Sequence, residues 1–289
     1  MKKKIEIREI LTSNAILVIS ALIMVCCAFF LFMDYCKRQK AEELMEEMAE
    51  QAIETKEEDE SQDQEMETDT EPERFFVSVD FDMLHEINPD IYAWISVPGT
   101  NVNYPVLQSP EGEDTDYYLN TNLDGSSGYP GCIYTQLCNS KDFTDPVTIL
   151  YGHNMRAGTM FATLHYYEDE IFFKENPYIY IYTEEQTFVY QIYASIWFHN
   201  YLLMDYYQNF ESEKYIDNFI ADISKYNGII DSSLKIENTD KMIVLSTCAG
   251  SSRSNERYMV IGKLLNDEEV ADIPEELKQR AVAYDNICD

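Results

Sequence analysis

A chain of 289 residues with 53 Asp and Glu against 21 Lys and Arg carries a formal charge of −32. That surplus excludes the basic face a nucleic-acid-binding protein needs, because phosphate backbones would be repelled. Seven cysteines with no CxxC or Cys/His spacing exclude a zinc ribbon and a disulfide-stapled scaffold.

From the N-terminus, residues 15–33 (AILVISALIMVCCAFFLFM) form an uncharged run of 19. As a helix rising 1.5 Å per residue, such a run crosses the roughly 30 Å hydrocarbon core of a bilayer. The alternative is a cleaved signal peptide, but its apolar region is usually about 7 to 15 residues and ends in small residues, whereas this run ends Phe-Phe-Leu-Phe-Met-Asp. Residues 15–33 therefore read as a transmembrane helix in contact with membrane lipid, and residues 1–14 as its cytoplasmic tail. Lys2, Lys3, Lys4 and Arg8 before the span slightly outweigh Lys37, Arg38 and Lys40 after it, which favours an N-terminus inside and a body outside.

Residues 34–74 read as an acidic linker, with 16 Asp or Glu in residues 41–73 against the single Lys56. AEELMEEMAEQAIE has helical spacing and can extend the membrane helix. KEEDESQDQEMETDTEPE has nothing to bury, so it is expected to be solvated and disordered. Stretched by like charges, the linker would reach on the order of 100 Å.

From about residue 75 the composition turns aromatic and β-branched. Residues 75–265 read as one domain, with 266–289 a C-terminal extension of helical potential. In DFDMLHEINPDI, Asp80 is a helix cap and Pro89 a limit to the helix. Alternation and Val, Ile and Tyr content predict strands at 92–97, 103–108, 131–135, 146–151, 178–182, 187–198, 241–247 and 257–265. Between the sixth and seventh, Phe210, Tyr215, Phe219 and Ile223 recur at helical spacing, with Gly228 as the stop. Eight short strands, one leading helix and one inserted helix predict a mainly β (α+β) barrel. Cys132 and Cys138 read as small apolar thiols, their pairing being the alternative, and Cys288 as an exposed bystander.

The chemistry concentrates in KMIVLSTCAGSSRSNERYMVIGKLL. Cys248 ends one apolar strand, and the loop returns to a second strand starting at Arg257. An adjacent guanidinium favours thiolate over thiol and donates hydrogen bonds to a developing oxyanion. His153, just past the strand 146–151 in YGHN, is the candidate proton carrier that a cysteine nucleophile needs. His85, His165 and His199 read as surface or packing residues.

LSTC with an arginine nine residues after the cysteine, in RYMVIGKL, and YGHN upstream resembles the sortase signature. INPDIYAWISVPGTNVNYPVLQ, DYYL, ILYGHNMRAGTMFATL and the inserted helix are similar to its class B branch over nearly all of residues 80–265. Two departures stand out: Val244 occupies a position usually held by Thr, and GCIYTQLCN replaces a GSIF-type segment followed by an acidic residue, which leaves Gln136 and Asn139 without an assigned role.

The resemblance implies an eight-stranded sortase β-barrel with His153, Cys248 and Arg257 as catalytic residues and Tyr151, Ser246 and Thr247 along the peptide groove. It implies a membrane-anchored transpeptidase facing a Gram-positive cell wall. The enzyme would cleave a C-terminal sorting motif (NPxTx or PxTG-like) of secreted proteins through a Cys thioester and pass the acyl group to a peptidoglycan precursor amine, without metal or organic cofactor. The alternatives are a cysteine peptidase releasing the acyl-enzyme to water, a pilin-polymerising sortase, and a non-catalytic surface binding module.

Overall fold

The computed structural model describes residues 2–54, 78–248 and 256–282. The chain falls into two compact units, Met1–Leu44 and Met45–Asp289. Helix α1 runs Lys2–Ala52, past the expected span and into the first part of the acidic stretch, where the helical spacing predicts its extension. Its part Ile19–Ala49 is long and apolar enough to cross a membrane, and none of the most apolar window is buried. Phe30 and Leu31 are 71% and 72% exposed. A helix apolar on every side and uncovered by its own chain is a candidate membrane anchor.

In the second unit, β1 (Ile53–Glu54) and β2 (Ser78–Val79) pair antiparallel, Ile53 with Val79 and Glu54 with Ser78. Residues 55–77, including the part expected to be disordered, lie outside the described residues. The ladder brings the flanks of that segment, Glu54 and Ser78, opposite each other. Helix α2 (Phe81–Ile87) starts where Asp80 accepts from the Met83 N–H at 2.9 Å and ends ahead of Pro89, as expected.

The barrel strands follow as β3 (Ile91–Val97), β4 (Val102–Gln108), β5 (Ile133–Thr135) and β6 (Val147–Tyr151). After α3 (Glu170–Glu175) come β7 (Tyr178–Tyr182) and β8 (Thr187–His199). The insertion then supplies α4 (Leu203–Tyr206), α5 (Glu213–Ile223) and β9 (Gly228–Ile230), before β10 (Met242–Cys248) and β11 (Glu256–Leu264). Strands neighbour one another in the order β11-β10-β6-β5-β4-β3-β7-β8, and β8 pairs again with β11, closing an eight-stranded barrel. Closure leaves those strands no free edge, which short strands need if they are not to pair with other chains. Trp94 is fully buried with its indole N–H donating to Asn103 Oδ1 at 2.8 Å, and Ile95, Ile181, Ile243 and Leu245 are equally buried.

The expected strands are all present within a residue or two, and β9 is additional. Gly228 does not stop the inserted helix, which ends at Ile223 with Ser224 as its cap. It opens β9 against β8, where a Cβ would collide with the Ser195 carbonyl. Close backbone approach, and not helix termination, requires glycine there. Cys132 and Cys138 are not joined in a disulfide: Cys132 is buried with its thiol donating to the Thr121 carbonyl at 3.5 Å, whereas Cys138 is exposed and is no packed apolar thiol. Cys288 lies outside the described residues.

The C-terminal extension is helical where described, as α6 (Asp267–Ala271) and α7 (Glu275–Val282). The Asn266–Glu269 capping box starts α6, and Arg280 donates to the Glu175 carbonyl at 2.9 Å, tying α7 to the barrel's α3.

Replacing residues 55–77 by a two-residue Asn-Gly turn should leave the melting temperature of the second unit within a few degrees of the wild type, because the β1–β2 ladder already sets both ends. A large drop in circular-dichroism melting would show that the acidic segment itself supports the fold.

Candidate active site

Strand β10 is paired on both sides. On one side it runs parallel to β6, with Ser246 opposite Tyr151, and the Gly152 N–H donates to the Ser246 carbonyl at 3.2 Å. On the other it runs antiparallel to β11, with Cys248 opposite Arg257. Two residues past the Tyr151/Ser246 pair, the chain reaches His153 after one strand and Cys248 on the other. Backbone register thus brings all three candidate residues to one end of the barrel.

Gly152 makes the turn into His153 possible. A Cβ there would lie 2.5 Å from Ile133 Cδ1 and 2.7 Å from the Phe161 ring, so any side chain would displace the turn. The His153 carbonyl then accepts from the Phe161 N–H at 3.0 Å. His153 Nε2 lies 2.8 Å from the Leu119 carbonyl, delivered by the short 3-10 turn Tyr117–Leu119 of DYYL. A carbonyl only accepts, so Nε2 carries the hydrogen and Nδ1 is left to exchange a proton. Tyr129 packs on the ring, with centroids 4.8 Å apart.

Burial lowers the His153 pKa below the usual 6.5. The bond to Leu119 works the other way, and the Arg257 charge lowers it further. The imidazole is therefore neutral at neutral pH. Because its folded pKa is depressed, it contributes stability above the unfolded value near 6.5, and that contribution is lost as pH falls through the folded value.

Arg257 is half-buried, and its Nε is buried without a hydrogen-bond partner among the described residues. Its charge reaches two stacked phenols, Tyr134 and Tyr151, with centroids 5.5 Å apart. Burial pushes both phenols up, and the guanidinium offsets part of that. Below them Tyr151 donates to Gln136 Oε1 at 3.4 Å, and Gln136 donates to Asp116 at 2.8 Å. This gives the departing GCIYTQLCN segment a role that the sequence left open.

Asn139 has one as well. Its amide donates to Asp145 and to the Val147 carbonyl, and its Oδ1 accepts from the Ile149 N–H, pinning the start of β6. Tyr151, Ser246 and Thr247 are buried in the barrel wall, the hydroxyls of Ser246 and Thr247 having no partner among the described residues.

Of the other histidines, His85 bonds the Ile91 carbonyl through Nε2 and His199 sits among Phe198, Tyr201 and Tyr206. His165 lies between Asn154 and Glu168. Leu119 acts through its carbonyl and carries no side-chain signal for that role, so sequence reading missed it. No group of three or more His, Cys, Asp or Glu able to hold a metal occurs among the described residues.

A closed barrel that sets a cysteine strand between an arginine strand and a histidine turn defines a cysteine-dependent acyl-transfer enzyme. The sortase domain family matches residues 95–265. Sortase B of Listeria monocytogenes is 31% identical over 63% of this chain and 72% of its own length, and sortase B of Staphylococcus aureus is 30% identical over 65% and 76%. Among solved structures, the Staphylococcus aureus sortase B–substrate complex aligns with TM-score 0.56 and 28% identity over 65% of this chain and 85% of that one. Bacillus anthracis sortase B in complex with AAEK1 aligns with TM-score 0.61 and 26% identity over 81% and 99%. The chain belongs to the sortase family, on its class B branch, and is a cysteine transpeptidase.

Asn139→Ala should destabilise the fold by about 3 kcal/mol, since it removes the side-chain partner of the buried Ile149 N–H and Val147 carbonyl at roughly 1–3 kcal/mol each; urea titration measures it. The His153 imidazole should titrate below 6.5 by NMR, and Arg257→Gln should move its midpoint upward by removing a neighbouring positive charge. A midpoint unmoved by that substitution would contradict the placement of the two side chains.

Proposed function

We propose that Cys248 is the nucleophile, Arg257 the oxyanion-stabilising cation and His153 the acid and base of this transpeptidase. The observation that carries the reading is the register of β10: Cys248 opposite Arg257 on one side, and Ser246 opposite Tyr151, two residues before His153, on the other. The Cys248 thiolate attacks the carbonyl carbon of the scissile peptide, and Arg257 donates to the oxygen as charge builds there. The C–N bond breaks and the leaving amine takes a proton from His153 Nδ1, leaving a thioester. An incoming amine then loses a proton to Nδ1 as its C–N bond forms and the C–S bond breaks. Tyr151, Ser246 and Thr247 belong to the groove wall on this reading.

The substrate would be a secreted protein ending in an NPxTx or PxTG-like sorting motif, and the acceptor a peptidoglycan precursor amine. In this division residues 1–14 form a cytoplasmic tail, 15–33 the membrane span and 75–265 the catalytic domain facing the wall. The exposed apolar surface of α1 supports the anchor. A Streptococcus pyogenes class B sortase involved in pilus biogenesis, 27% identical with TM-score 0.55, keeps pilin polymerisation as the second reading to test.

Incubating the full chain in detergent with an NPxTx-type peptide should give a new amide only when an amine acceptor is present, and Cys248→Ala should remove thioester formation without changing the circular dichroism. Cleavage by the alanine variant would overturn the assignment of the nucleophile. Equal product yield with and without acceptor would mark a peptidase.

A further inference from the structure

Outside the three residues of the mechanism, one side chain touches the supports of two of them. His165, in the 3-10 helix Ala162–Glu168, lies with Nε2 2.9 Å from the Asn154 amide nitrogen and Nδ1 2.8 Å from Glu168 Oε1. An amide nitrogen only donates and a carboxylate only accepts, so the ring takes a hydrogen at Nε2 and gives one at Nδ1: a single neutral tautomer satisfies both bonds. Asn154 directly follows His153, and its backbone pairs with Met160 in the bridge that closes this turn. The same imidazole stacks on Tyr258, with centroids 4.6 Å and planes 24° apart, and lies 5.5 Å from the Trp197 ring. Tyr258 directly follows Arg257 and pairs across the ladder with Trp197 on β8.

Resting on the assignment of His153 and Arg257 above, we propose that His165, oriented by Glu168, is a positioning residue that fixes the His153 turn against the Arg257 strand. It acts through Asn154 on one side and through Tyr258 on the other, and it touches no reacting atom. Two loosely held loops can place an acid and a cation near one thiol, but small displacements cost rate steeply, and a ring wedged between the two elements holds their spacing. Its effect should fall on turnover and leave peptide binding intact.

The test compares variants of the full chain in detergent, using an NPxTx-type peptide with hydroxylamine as the amine. His165→Phe keeps the stacking ring and loses both hydrogen bonds. It should lower kcat about tenfold, with KM changed less than about twofold and the melting temperature retained. His165→Gln, which restores an acceptor toward Asn154, should recover most of the loss. Asn154→Ala should cost as much as His165→Phe, and the double variant no more than either. Unchanged kcat in His165→Phe, failure of Gln to rescue, or losses that multiply in the double variant would overturn the inference. Should His165→Phe fail to fold, Asn154→Ala and Glu168→Gln carry the same comparison. Cys248→Ala and His153→Ala run alongside. Activity in either defeats the catalytic assignment, whereas inactivity in both with full kcat in His165→Phe defeats only the positioning role.

Discussion

The pairing of β10 with a parallel neighbour on one side and an antiparallel one on the other is the constraint on which the site depends. A nucleophile strand paired on one side only would fix one partner and leave the other to a loop. Here the parallel ladder with β6 sets how far along the strand His153 arrives, and the antiparallel ladder with β11 sets Arg257 directly across from Cys248. Slipping either register by one residue would turn every side chain of that strand to the opposite face. Ile243, Val244, Leu245, Val260 and Ile261 are fully buried on both faces of their strands, so such a slip would force every one of them to repack against new neighbours, and misfitted core side chains cost about 1–3 kcal/mol. Core packing therefore holds the catalytic spacing.

The residues around His153 extend that logic from backbone to proton. The Leu119 carbonyl fixes which nitrogen carries hydrogen, and Gly152 lets the turn pass between Ile133 and Phe161. Leu119 in turn is held because the Cys132 N–H donates to the neighbouring Tyr118 carbonyl and the Tyr118 hydroxyl donates to Asp90 at 2.6 Å. The DYYL and GCIY segments are thus parts of the site, although neither contributes a reacting side chain.

Much of this was legible in the sequence, for identifiable reasons. Strand positions followed from alternation, and the Asp80 cap from one carboxylate at the right offset before an apolar run. The pattern around Cys248 marked strand, loop and strand, so that Arg257 was expected beside the thiol. What stayed hidden was long-range or carried by backbone. Gly228 has the look of a helix stop, and only the approach of β8 shows why it is glycine. The pairing of Ile53 with Val79 across an acidic stretch leaves no local trace in the sequence. Asn139, with three hydrogen bonds to groups 6 to 10 residues away, has no periodic signature at all.

The electrostatics pull in two directions, and the conflict suits the reaction. A guanidinium beside the cysteine strand favours thiolate, yet the same charge joins burial in depressing the His153 pKa. The imidazolium that the proposed acid step needs is then the minority form of His153 at neutral pH. The compensation lies in the chemistry of each step. An imidazolium with a lowered pKa is a stronger acid toward a leaving amine, which is a poor leaving group unless protonated, and the neutral imidazole that remains can accept the proton of the incoming amine. On the proposed assignment, the thiolate charge disappears as the thioester forms while the oxyanion develops near Arg257, so one cation would serve the nucleophile before attack and the oxygen during it. One arginine in register with one cysteine can cover both stages because strand pairing, and not a mobile loop, sets the distance between their backbones.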